Sequence, residues 1–116
     1  MNITVLRGAL SRAPERRVLP SGDDLVEYQV TTPAADDRPA ESVPVIWPDA
    51  PAGAEDYEPD AELVIIGRTR RRFFKAAGYT QSRTEVVATH VVPARQAKRA
   101  ARLVLDACQS LEDVFA

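Results

Sequence analysis

Arg68, Arg70, Arg72 and Phe74 occupy alternate positions of a strand-like run, so a pleated backbone places all four on one face. Guanidinium groups neutralise phosphates, and an aromatic ring offers a flat platform to an unpaired base. The row therefore suits a single nucleic-acid strand gripped without regard to its sequence. The plainer reading is a solvated arginine stripe ending in an aromatic. Arg71 and Phe73 point to the opposite face, where Phe73 is expected to pack. Lys75 and Tyr79 fall in a stretch around Gly78 that reads as a hairpin loop able to close over a bound strand. For Tyr79, ordinary loop exposure explains the position equally well. Trp47, the only tryptophan, ends an apolar run just before Pro48 and Asp49. That puts it at a strand's mouth and favours base stacking over a role as core anchor. Val64 and Ile66 share the arginine face yet are apolar, which predicts a buried subunit contact or coverage by the chain's own C-terminal helix.

Other chemistries find little support. His90 has no second histidine or cysteine at ligand spacing, so no metal is expected. The acidic run from Glu55 to Asp60 lacks the glycine and ligand ladder of a calcium loop. Cys108, the only cysteine, sits among apolar helix positions as a small hydrophobe. No serine–histidine–acid or cysteine–histidine set can be assembled, and no glycine loop could cradle a phosphate. Neither enzymatic activity nor a cofactor is expected.

The chain has 116 residues, enough for one domain and one core. Its net charge of −2 hides a sharp division. Residues 20–64 carry twelve acids against Arg38 alone, whereas residues 65–102 carry ten basic side chains against Glu85 alone. Segregation of this kind leaves room for a locally basic, phosphate-binding surface despite an acidic total. The alternative is two halves that attract each other in the fold. One cysteine, no signal-like N-terminus and no long apolar stretch lead us to expect a cytoplasmic protein without membrane attachment.

Period-2 patterning places the elements. Strands are expected over residues 2–12, with Gly8 as a bend, and over 25–32, where Val26, Tyr28 and Val30 share a face. Residues 16–19 could resume extended structure. Further strands are expected over 43–47, at an edge or irregularly paired because of Pro44, then 63–74 and 83–92. Residues 48–61, with three prolines and five acids, read as an exposed, partly disordered loop. A helix is expected over residues 94–112, with Ala97, Ala101, Val104, Cys108 and Leu111 on its apolar face and Ala100, Leu105 and Phe115 flanking it. About five strands with a bent first strand and one terminal helix fit a small closed barrel, of which the oligonucleotide-binding (OB) fold is the commonest five-stranded example.

The residues then become specific. Asn2, Leu6, Gly8, Leu10, Pro14, Glu15, Arg17, Pro20 and Gly22 stand in register with an opening of Asn, apolar strand, Leu-x-Gly-x-Leu, Asp-Pro-Glu, a basic position and Pro-x-Gly. Leu25, Tyr28, Val30 and Thr32 continue the series. Gly67-Arg68-Thr69-Arg70, Gly78 and Thr84-Glu85-Val86-Val87 complete it. Over residues 1–93 the chain resembles the bacterial single-stranded DNA-binding protein family. The resemblance implies an all-β, five-stranded OB barrel over residues 1–93, with residues 94–116 as an added helix and tail. It further implies homo-oligomerisation, a tetramer before a dimer, and single-stranded DNA wrapped over basic and aromatic surfaces. On this basis Trp47 and Phe74 match stacking positions, and Arg17, Arg70 and Arg72 match positions the family keeps basic. The chain departs from the pattern at Ala13 and Glu41, in loop 48–61, and in lacking the long acidic tail. Glu112-Asp113-Val114-Phe115 is similar to the tail's recruiting tip, although a frayed helix end accounts for it more simply.

The expected function is coating of single-stranded DNA in replication, repair or recombination, with replication or repair proteins as further partners and the nucleoid as its place in the cell. The rival is an OB-fold adaptor whose acidic loop and helix bind proteins, with weak or lost DNA affinity. RNA is a third candidate, because stacking tolerates either sugar.

Overall fold

Alternation along five strands buries one row from each, and these rows meet in a single core. The computed structural model describes residues 1–115, with only the backbone described for residue 110 and residues 112–115. The acidic tip resembling a recruiting tail thus lies outside the described side chains. Six strands and one helix follow in order: β1 (Thr4–Leu10), β2 (Glu15–Val18), β3 (Asp24–Thr32), β4 (Glu41–Pro48), β5 (Glu62–Ala76), β6 (Tyr79–Pro93) and α1 (Ala97–Phe115).

The sheet runs β1-β5-β6-β4-β3-β2, and a second pairing of β1 with β3 closes five of the strands into a ring. The resulting mostly β architecture with a C-terminal helix agrees with the expected class, β2 being an additional strand on the edge of β3. Gly8 makes the closure possible. A Cβ at this position would overlap the Thr31 carbonyl, and here β1 passes from pairing with β5 to pairing with β3. The bend read from the sequence is therefore a close approach of backbones.

Val26, Tyr28 and Val30 of β3 meet Leu10, Val45, Leu63, Ile65, Val86, Ala88 and Val91 inside the ring. Pro44 proves to be internal, not at an edge. β4 lies between β3 and β6, and it pairs with β6 only at Val45 and Ile46, in parallel. Pro44 is thus clear of the short β6 ladder.

Residues 49–61 depart most from expectation. Most of the segment is exposed as expected, but in place of partial disorder it folds against one end of the ring as a plug. Ala50 and Ala54 are buried in the core, with Tyr57 and Ala61 packed against it. The Tyr28 hydroxyl donates to the Ala54 carbonyl at 2.6 Å. Burial pushes that hydroxyl's pKa up, with Tyr57 and Glu55 adding to the effect. Arg16 of β2 clamps the plug from outside. Its guanidinium pairs with Glu55, donates to Asp24 at 2.9 Å, and reaches the Pro51 carbonyl at 2.8 Å.

The Arg16 hydrogen bond holds the Glu55 carboxyl below its ordinary value. A depressed acid contributes stability above its unfolded pKa, about 4.3, and loses it as pH falls through the folded value. Glu55→Gln should therefore melt below wild type at pH 7. The difference should shrink once the pH drops below about 4, as read by thermal melts in parallel buffers.

α1 docks by a face that adjoins the expected one and shares Val104 with it. Ala100, Leu103 and Val104 pack on Val64 and Val92 of β5 and β6. Ala107 and Ile66 line the crevice further along the helix. Ala97, Ala101 and Cys108 remain exposed. Val64 and Ile66, expected to meet a second subunit, are already buried within one chain, at 8% and 3% exposure. The alternative of coverage by the chain's own helix is the one realised.

Candidate nucleic-acid interface

β5 and β6 are each fifteen residues long, about twice the length of β1 and β4. Their surplus forms a ribbon projecting beyond the ring. β1 accompanies β5 only as far as Gly67, and β4 accompanies β6 only at Val86 and Val87. Asn2 fastens the last shared rung, its side chain accepting from Thr69 N–H at 3.0 Å and donating to the Thr69 carbonyl at 2.6 Å. From Arg70 to Glu85 the two strands pair only with each other. Ala77 and Gly78 close the hairpin with φ of 53° and 81°. Two positive φ values are the signature of a type I′ turn, whose twist matches that of the flanking strands. Lys75 and Tyr79, expected in a mobile loop, are thus strand residues held in register.

The row read from the sequence is present. Arg68, Arg70, Arg72 and Phe74 share one face with the β6 residues Gln81, Arg83 and Glu85, and Tyr79 lies at the end of this face. Glu85 is 1% exposed beneath the arginines. Arg72 Nε donates to Glu85 Oε1 at 2.8 Å, and an Arg70 Nη sits 3.5 Å from the same oxygen. One carboxylate thus holds two like charges side by side, which would otherwise repel. Among the described residues, buried Arg70 Nε has no partner. Arg68 is exposed, and among the described residues no carboxylate pairs with it.

The opposite face carries Arg71, Phe73 and Lys75. Phe73 was expected to pack, but it is 66% exposed because the ring's core ends before it. Each arginine covers the ring two residues along: Arg71 lies 5.4 Å from the Phe73 centroid and Arg72 lies 5.3 Å from that of Phe74. Such contacts hold guanidinium and ring as paired flat surfaces. Arg71, Phe73 and Arg83 were missed as candidates in the sequence. Two long strand patterns flanking a two-residue turn were the available signal, since a ribbon longer than its ring exposes both faces. Between residues 68 and 85 stand six cations and one acid, concentrating positive charge on this arm.

The remaining candidates lie away from the ribbon. Trp47 alternates with Val43 and Val45 on the inward face of β4 and packs against the core, leaving its indole only partly exposed. Arg17, on β2, lies beside Glu27 at 3.4 Å. The two flank one stretch of β3, where Arg17 pairs with Leu25 and Trp47 with Val26. Among the described residues, no three His, Cys, Asp or Glu side chains gather as a metal site.

This arrangement has a counterpart among solved structures. A chain from Plasmodium falciparum, in the structure "SSB complex with ssDNA", superposes on 80% of this chain and 94% of its own length with a TM-score of 0.67. The two chains share a fold. Their sequences are 15% identical. The arrangement is consistent with an OB fold. No family model matches the sequence, and no curated protein matches it either.

Proposed function

We propose that this protein is an OB-fold binder of single-stranded DNA with little sequence preference, and that the β5–β6 ribbon is its principal contact. The observation that carries the reading is the pair of arginine–phenylalanine couples on opposite faces of a stiff, cationic arm. Cations that follow a phosphate backbone, beside rings available to bases, meet the needs of a strand without a complement. The fold shared with a chain from a single-strand complex supports the same reading. Coating transient single strands during replication, repair or recombination would follow. Trp47 and Arg17 are secondary in this scheme, because one packs inward and the other is held by an acid. The adaptor reading keeps some ground, because Asp49, Asp56, Glu58 and Asp60 of the acidic loop stay exposed even though Ala50 and Ala54 anchor it to the core.

A fluorescent oligothymidylate titrated at several salt concentrations tests the proposal. Binding should weaken linearly with log salt as counterions are released. Arg68→Ala should flatten that slope by about 0.7 if it removes one phosphate contact. Duplex DNA should bind more weakly, because its bases are already stacked. An absence of single-strand binding at low salt would overturn the assignment, and tighter binding to oligouridylate would redirect it to RNA.

A further inference from the structure

α1 has more apolar surface than its own ring covers. Ala97, Ala101, Val104, Cys108 and Leu111 recur at alternating intervals of four and three residues. This is the heptad spacing of a helix that packs along a second helix. The ring takes Ala100, Leu103 and Val104 from the adjoining face. Val104 is shared with the ring and half-buried, whereas Ala97, Ala101, Cys108 and Leu111 of the heptad stripe remain exposed, and Leu105 beside them is 68% exposed.

Charge identifies the occupant. The first half of the helix carries Lys98, Arg99 and Arg102, and the second carries Asp106, Glu112 and Asp113. Its first turn has no acid and its last turn no base, the reverse of what the helix dipole favours. A second copy of α1 running antiparallel supplies both deficits at once. Each basic half lies beside an acidic half, and each helix end meets charges of the sign it lacks. A parallel copy would place like charges together.

We propose that two copies of this protein associate through antiparallel α1 helices, with the twofold axis passing near Asp106. In this register Ala101 faces Leu111 of the second copy, Val104 faces Cys108, and Leu105 lies close to its own equivalent. Small side chains opposite larger ones let the helices approach closely. The contact leaves the β5–β6 ribbon free, so each dimer presents two arms. This inference goes beyond the DNA-binding proposal and stands or falls separately from it.

Sedimentation of the full chain at micromolar concentration should give twice the chain mass, with dissociation promoted by high salt. Leu105→Glu should yield monomers with an unchanged melting profile at low concentration, because the side chain is already exposed. Leu105→Arg provides the same test with opposite charge. Orientation is read by oxidation. In a Cys108→Ser background, Leu105→Cys should cross-link readily, whereas wild-type Cys108 should cross-link poorly because it faces Val104. A wild-type monomer at tens of micromolar, a dimer that survives both Leu105 substitutions, or ready cross-linking of wild-type Cys108 would each overturn the proposal.

Discussion

Replacing Phe73 and Phe74 together by alanine is expected to abolish measurable oligothymidylate binding at moderate salt while leaving the melting temperature nearly unchanged. Each ring supplies a stacking platform worth about 1–3 kcal/mol per base. Loss of both should cost roughly 2–6 kcal/mol, or about thirtyfold to ten-thousandfold in affinity. Stability should be spared because both residues lie on the ribbon, beyond the ring's core. The single variants separate the two faces: a comparable loss from each would mean that strands pass along both sides of the arm. Anisotropy titrations of the three variants against wild type decide the matter. Wild-type affinity in the double variant would remove the ribbon from the interface.

The largest effect on folding should come from Gly67→Ala. A Cβ there would overlap the Val87 carbonyl and press on Ala88 Cα, both parts of the adjacent backbone. β5 and β6 lose simple register at this point, between Ile66 and Gly67, so the absent side chain lets the strands cross an irregularity at close range. The added methyl must push the strands apart where the ring's core ends and the ribbon begins. We expect a loss of about 3 kcal/mol or more in chemical denaturation, equivalent to a fall of roughly 10–20 °C in melting temperature. Gly22→Ala is the informative contrast. Gly22 has φ of 91° with open space around it, so its cost should be confined to backbone strain of about 1 kcal/mol.

Parity was the most reliable guide in the sequence. Val26, Tyr28 and Val30 alternate and are all buried. Trp47 obeys the same rule, sharing parity with Val43 and Val45, and it turns inward although the family resemblance suggested a stacking role. The arginine row was legible for the same reason. The limit of the core along β5 was not, because it depends on where β1 and β4 stop accompanying the long hairpin. Phe73 was misplaced on that account. The plug was hidden by composition: Ala50, Ala54, Tyr57 and Ala61 recur within a proline-rich, acidic stretch whose average suggests disorder. The helix offered two adjoining apolar faces, and hydrophobic spacing alone could not decide which one the ring would take.

The order of pairing around the ring also constrains how it can be assembled. β2, β3 and β4 form a local meander, and the β5–β6 hairpin, with its tight turn, can form within microseconds. Closure must wait longer, because Val5 of β1 pairs with Ile66 of β5, across more than half the chain. β5 and β6 have to insert between strands made much earlier in synthesis. Until they do, β1 and β4 each present an unpaired edge to any neighbouring chain. Refolding is therefore a race between a slow, long-range insertion and pairing with another molecule. Its yield should favour dilute protein.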